Sequence, residues 1–562
     1  MQKCLFRNIT ASYPPAFTDT LQNQDERLGY QFKDDGNHPE GWYVPGSKTK
    51  YDFHKNPDTA KGLVLETKDT FDNRSTIEYD EYDLLPVKAR QWIFEAVEVE
   101  DEDVYLETIA EYDYRILQAK MITDPNGNRS VFAFSPLGLM TKSGVIGKEG
   151  AVEGDIIDEQ SQQWKPSVEM EYDFMAFKNH GQPVWVKTIQ REQHYTDETN
   201  SPEIIKVEYT DGFGRLLQTR IQAEDVIFGK TKTDRQFGNS NLPQKQEDPN
   251  EDAIGVERGP SDKMNVVVSG WQVYDNKGQV IKQYEPYFDK GFTFEAAKNE
   301  HKFRKLRMYY DPRGQVVRTK NPDGSEQRVI FGIPDDLTKL PTTTYLLQNK
   351  ITPTPWESYT YDANDLAKET HGENHNVPDD HHYTPSSVVM DALGRTIKTT
   401  EHQAHIKPNE EKEDVVMKYE YDIRGNLLKV TDALGRVAFH HKYDLKPVTG
   451  EGEEEQGANV LWTKHIDSGE KTAIFDAAFK PIEMQDERGA KVLNAYDQLS
   501  RLIKLWAKDN ASAGFTLREK LIYGDDTENG PANPMATNHL GQLYPPSLAS
   551  RECECFAASC SI

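Results

Sequence analysis

Histidine and aspartate crowd one stretch of the chain. THGENHNVPDDHHY brings His371, His375, Asp379, Asp380, His381 and His382 close in sequence, and EHQAH adds His402 and His405. Imidazole nitrogens and carboxylate oxygens can hold zinc or a related divalent ion. Gly372 and Pro378 interrupt the first cluster, so no regular element fixes four ligands, and a solvated loop near 371–382 is the stronger reading. DPNGNR sets Asp124, Asn126 and Asn128 at alternate positions, the way a calcium loop begins. An EF-hand needs glycine where Arg129 stands and a bidentate glutamate where Ser135 stands, so a turn is expected instead. Asp and Glu number 93, yet no spacing selects two of them as the acid and base of a glycosidase. Cys4 lies near the start with no ordered base in view, which makes it a poor nucleophile. G-x-S-x-G, H-E-x-x-H, Walker and G-x-G-x-x-G patterns are all missing. The expectation is a non-enzyme without catalytic residues, metal or cofactor.

The elements that position these residues are announced by a repeat. Aspartate, usually after an aromatic or apolar residue, is followed three positions later by glycine, then a polar residue and an apolar pair. The clean copies are Asp211 and Gly214, Asp275 and Gly278, Asp311 and Gly314, Asp391 and Gly394, Asp422 and Gly425, and Asp432 and Gly435. Asp124 and Gly127, Asp486 and Gly489, and Asp362 in YDANDLAKET are looser relatives, and Asp497 has Ser500 in the glycine place. Asp at the first position of a turn accepts a bond from the backbone two residues on, and Pro125 or Pro312 sets φ at the second. Glycine at the fourth supplies φ > 0 for a type I turn with a G1 bulge. Tyr before the turn and Leu, Val or Ile after it favour strands. The intervals from Asp422 to Asp432, Asp476 to Asp486 and Asp486 to Asp497 leave room for one short strand each. The fold expected is therefore all-β, a β-hairpin array with few short helices. Weak helical patterns occur at 293–308 and 514–523, and polar loops are expected at 141–166, 229–263, 366–386, 402–414 and 446–459, the last with the solvated run EGEEEQG.

Composition agrees with a thin wall. The chain has 562 residues, and its apolar content of 36% falls below the roughly 45–50% of ordinary globular domains. Its net charge of −27 disfavours nucleic acid and anionic membranes as partners. Mean hydropathy is −0.78 and no stretch approaches the ~18 apolar residues of a membrane span. Of four cysteines, Cys553, Cys555 and Cys560 lie in the last ten residues, so no disulfide framework is expected.

These D-x-x-G-R units resemble the YD repeats of Rhs proteins and of the B and C components of bacterial insecticidal toxin complexes. The longer flanks, among them SYPPAFTDTLQNQDERLG, DYRILQAKMITDPNGNRSVFAFSPLGLMTKSGVIGKEG and VVSGWQVYDNKGQVIKQYEPYF, are similar to the B component, from about residue 10 to Tyr544. The resemblance implies part of a hollow β-shell that B and C build together. The shell encapsulates the toxic C-terminal part of the C-type toxin component, and a propeller of B docks on an A-type channel component. Residues 1–165 would be the B-component middle region with the first hairpins, and 166–544 the YD/Rhs-repeat shell. The segment 545–562 departs from the family and reads as the product of a frameshift or truncation. No propeller-like segment precedes residue 10, so contact with the A component is expected only through a module absent here. MQKCLFRNITASYPP lacks the apolar run of a secretory signal, so the product would be made in the bacterial cytoplasm and released as part of a secreted complex. Two rival readings stand beside this: an Rhs-type scaffold carrying an effector against neighbouring bacteria, and a glycan-binding β-protein with a cleft lined by Trp271, Trp356 and Trp462.

Overall fold

Strand formers and turn residues alternate along the chain, and the computed structural model is almost entirely antiparallel β: 48% strand against 5% helix. It describes residues 13–22, 28–34, 36, 39–94, 103–158, 163–223, 226–228, 255–257, 263–294, 304–338, 351–403, 414–445 and 458–544. Two compact units emerge. One holds Met1–Leu139, Gly144–Gln163 and Val437–Ile562; the other holds Met140–Ser143 and Trp164–Arg436.

In the first unit, strands from Lys48–Tyr51 to Arg129–Phe134 each pair with the next along the chain. Strands from Val437–Tyr443 to Thr516–Lys520 do the same. Period-two alternation puts Leu493 and Ala495 on one face, and the core forms there. Ile474, Ala477, Ile482 and Trp506 join them under Phe17, Leu28 and Tyr30 of the N-terminal segment. The Phe17 ring meets Trp506 edge-on at 5.6 Å. Hydrogen bonds fix this lid: Ala477 N–H donates to Leu28 O at 2.8 Å, and the Tyr30 hydroxyl donates to the carbonyls of Phe475 and Asp476 at 3.1 Å each. Burying a side chain such as Phe17 or Leu493 contributes about 1.5–3 kcal/mol, so the lid is an integral part of this unit.

The second unit repeats the meander from Val168–Asp173 to Leu216–Gln222 and from Lys305–Tyr310 to Leu427–Thr431. Its apolar clusters are small. Ile330, Tyr359, Tyr361 and Leu366 form one, with Leu337 and Ile351 against it. Elsewhere Arg220 is fully buried, its charge met by Asp289 Oδ2 at 2.9 Å, Gly291 O at 2.8 Å and Gln218 Oε1 at 2.9 Å. A buried cation persists only with such partners.

The structure overturns the weak helical pattern at 514–523. Thr516–Lys520 is a strand paired with Leu502–Lys508. A helix of some ten residues is marginal alone, and the ladder offers every second backbone group a partner. Residues 305–308 belong to the strand Lys305–Tyr310, while 295–303 lie outside the described residues. The Asp362 unit also departs from its relatives, running into the helix Ala367–His371 instead of a strand. Without glycine at the fourth position, the Asp365 carboxylate accepts the Asp362 N–H at 2.8 Å and occupies the place of the bulge carbonyl. The expected loop 141–166 contains the strands Met140–Ile146, Ile156–Asp158 and Gln163–Lys165. Residues 229–254, 404–413, 446–457 and 545–562, with the acidic run, His405 and all the late cysteines, lie outside the described residues, as does Cys4.

Candidate functional site

The aspartate–glycine pairs share one geometry. In each, the glycine N–H donates back to the aspartate carbonyl at 2.9–3.1 Å: Gly127 to Asp124, Gly214 to Asp211, Gly278 to Asp275, Gly314 to Asp311, Gly394 to Asp391, Gly425 to Asp422 and Gly435 to Asp432. The glycine φ values run from +74° to +91°, where a Cβ is strained. The aspartate Oδ1 accepts two further backbone N–H groups, as at Asp391 from Leu393 at 2.9 Å and Arg395 at 3.0 Å.

The polar residue after glycine closes the remaining carboxylate oxygen. Arg215, Arg395 and Arg436 donate through Nε to Asp211, Asp391 and Asp432 at 2.7, 2.8 and 2.8 Å. Asn128 and Asn426 do the same through Nδ2 at 2.9 Å. At Asp311 the donor is Arg313 instead, at 2.9 Å. The arginine hydrogen bond holds the Asp391 and Asp432 carboxyls below the usual carboxylate range. At Asp211 and Asp422 burial pulls upward, but the side-chain and backbone donors outweigh it.

Tyrosine before aspartate ties one turn to the previous turn on the same rim. Tyr274 Oη donates to Leu216 O at 2.9 Å, Tyr310 to Val280 O at 2.7 Å, and Tyr421 to Thr396 O at 2.9 Å. Each acceptor opens the strand that follows an earlier aspartate turn. Arginine adds a second link: the Arg395 guanidinium reaches Asp422 O at 3.0 Å and lies 5.0 Å over the Tyr421 ring. The same turn is also built without glycine, at Asp69, Asp80, Asp476 and Asp497, where Asp72, Asp83, Phe479 and Ser500 stand at φ +54° to +64°. A search keyed on glycine misses Asp69 and Asp80, whereas Asp476 is marked by its interval to Asp486; the Tyr-Asp pair at Asp80 and the strand formers around Asp69 are the signals that remain.

The chemistry-bearing residues are dispersed. His371 bonds Thr370 and the Asp323 carbonyl, His382 bonds the Asn364 carbonyl, and His381 lies 3.9 Å from Asp380. Among the described residues, no group of three or more His, Cys, Asp or Glu could hold a metal ion. Asn126 is clamped to the backbone of Leu540, donating at 3.1 Å and accepting at 2.9 Å, so it is a structural tie. Trp271 is buried and stacked on Tyr284 at 4.0 Å, Lys442 lies over Trp462 at 4.6 Å, and Trp356 is half-exposed. A cleft of about 820 Å³ in the first unit has Leu499, Ile503 and Leu521 on its walls. The arginine at its edge, Arg501, is already bound by Asp497 and Asp525 at 2.7 and 2.5 Å. Taken together, the arrangement is built to hold turns in register, and its ion pairs are mutually satisfied.

The described residues thus define an all-β protein of large antiparallel sheets with carboxylate-locked hairpins. Solved toxin-complex structures are among those similar to this chain. The crystal structure of TcdB2-TccC3 matches over 96% of this chain with a TM-score of 0.64 and 20% identity. The Photorhabdus luminescens Tc holotoxin pore with a TccC3 variant matches over 96%, TM-score 0.65 and 18% identity, and TcdB2-TccC3-Cdc42 over 97%, TM-score 0.63 and 18%. The chain spans only 24–26% of the length of those solved chains. At these identities the likeness gives the fold. No protein-family model and no curated protein matches the sequence.

Proposed function

We propose that this chain is a YD-repeat wall segment of the B-type component of an insecticidal toxin complex, and that its work is containment. The observation that supports this most is the match over 96% of the chain to TcdB2-TccC3, structures in which a toxin component is solved with its partner. In this reading the wall joins that of a C-type component and encloses its toxic C-terminal part. The A-type channel engages the assembly outside this segment, and the complex acts after release from the producing cell. Containment needs no bond-making: turns locked by Asp391, Asp422 and Asp432 keep the strands in register, and half-wet faces accommodate an unfolded guest. Mixing the purified chain with a C-type partner carrying its toxin domain tests this. Closed hollow particles by electron microscopy, with the toxin domain protected from protease, are the expected result. Open or aggregated material with the toxin domain digested rules the chain out as a self-sufficient wall.

A further inference from the structure

In the cleft of the first unit, two like charges face each other beside apolar surface. Its volume of about 820 Å³ falls within the roughly 300–1,000 Å³ of small-molecule sites. The strands Leu502–Lys508 and Thr516–Lys520 contribute to one wall, and their register sets Lys504 directly opposite Lys520. Both side chains line the cleft. Residues paired across an antiparallel ladder share a face, and like charges placed so repel each other. Among the described residues neither lysine makes an ion pair. Lys520 Nζ lies 3.5 Å from the Asn529 amide oxygen, and Lys504 Nζ stands 5.9 Å over the Trp506 ring.

The carboxylates of the cleft are engaged elsewhere. Asp497 and Asp525 hold Arg501, and Asp525 also accepts the Gly541 N–H at 3.2 Å. Asp526 accepts the backbone N–H groups of Glu528 and Asn529 at 2.9 and 3.0 Å within its own turn. Burial pulls the Asp526 carboxyl up, but the Asn529 and Glu528 donors and, more weakly, the Lys520 charge hold it below the usual carboxylate range. Lys520 is thus partly balanced and Lys504 is not. Lys520, Thr527, Glu528 and Asn529 are exposed, so the cleft opens to solvent on that side. Its apolar lining of Ile93, Val104, Ile503 and Leu521 is half-buried. A bare inorganic anion would leave that lining wet, and a purely apolar guest would leave the opposed ammonium groups uncompensated. An acid head on an apolar body satisfies both.

We propose that this cleft binds an amphiphilic carboxylate, its head between Lys504 and Lys520 and its aliphatic body along Ile93, Val104, Ile503 and Leu521. The two carboxylate oxygens accept from the two ammonium groups, which supplies the counter-charge that the ladder lacks. The body takes half-buried apolar surface out of water. The site is independent of the containment role and needs no partner chain, so either reading can fail without the other.

The test is calorimetric titration of the intact chain with decanoate, decanol and decyltrimethylammonium, probes with the same decyl-length body and different head charge. The expected result is decanoate binding at one site about tenfold or more tighter than decanol, with an affinity that falls as salt rises. Lys504→Gln and Lys520→Gln each weaken decanoate about tenfold and leave decanol unchanged, whereas Leu521→Asn weakens both. Near-UV circular dichroism accompanies each variant. A footprint on the wild type needs no variant: saturating decanoate shields Lys504 and Lys520 from acetic anhydride, read by mass spectrometry, while Lys464 outside the cleft stays reactive. No binding of decanoate, equal affinities for the three probes, tighter binding of the ammonium probe, or unshielded Lys504 and Lys520 overturns the proposal.

Discussion

Replacing Gly425 separates backbone conformation from packing. Its φ is +91°, yet a Cβ built there has nothing within 4 Å. Any loss on substitution therefore comes from the left-handed backbone alone, which costs an ordinary side chain on the order of 1–3 kcal/mol. The chain supplies its own calibration. At the equivalent position it tolerates Asp72, Asp83, Phe479 and Ser500, but only with φ between +54° and +64°. Asparagine at 425 should relax toward that range and lose less than about 1 kcal/mol, while valine, stiff at χ1, should lose about 2–3 kcal/mol. At Gly314 the Cβ would approach Gln279 Nε2 at 3.0 Å, a flexible group that can swing aside, so the same ranking should hold there. Because the chain has two units, global denaturation mixes their stabilities. Hydrogen exchange at the amides of Asp422 and Gly425 reads the local opening free energy instead. Equal protection in the Asn and Val variants, or a valine loss under about 0.5 kcal/mol, would refute the left-handed-turn argument.

Three further outcomes are expected. The Asp391 and Asp432 carboxyls titrate below their unfolded value, so their stabilisation is present above about pH 4 and is lost as pH falls through the lower folded value; Arg395→Met with Arg436→Met should raise the midpoint of acid unfolding followed by circular dichroism. Asp476 is the opposite case: burial pushes it up to about 6 against the opposing backbone donors, so the fold loses stability as pH rises from about 4 to 6. Asp476→Asn should then stabilise the lid of the first unit at pH 7–8 by about 1–3 kcal/mol and flatten that slope, as read by exchange in Lys491–Tyr496. Tyr421→Phe removes the tie to Thr396 O and should cost about 0.5–1.5 kcal/mol, with faster exchange in the Asp391 turn as well as its own.

The all-antiparallel architecture was legible because the turn is a local device. Aspartate, glycine and the following Arg or Asn act within five residues, and a single template at Asp211 or Asp432 contains the whole lock. The strand Thr516–Lys520 reads as a helix in isolation because its fate depends on Leu502–Lys508, which supplies the ladder that lies outside a ten-residue window. The N-terminal lid was illegible for a stronger version of the same reason: Phe17 and Trp506 are joined only by the fold. So are Ser387, His402 and Asp414, which hydrogen-bond in a row at 3.1 and 2.8 Å. His402 was noticed in sequence as a metal-ligand candidate, but its actual partners come from the two flanking strands. The Arg or Asn that follows the glycine was visible as a pattern, while its purpose at Asp124, Asp211, Asp391, Asp422 and Asp432, closing the second carboxylate oxygen, lies in the folded turn.

The tyrosine ties constrain how such a wall can change length. A turn on one rim is bound to the next turn on that rim, and two strands separate them. Removing one strand would send every later turn to the opposite rim and leave Tyr421 with no carbonyl to reach. Removing a whole hairpin keeps the sides and simply brings the next tyrosine to the preceding carbonyl. The array can therefore lengthen or shorten only in even steps, so genes for such walls should tolerate insertions and deletions of complete strand pairs and reject odd ones.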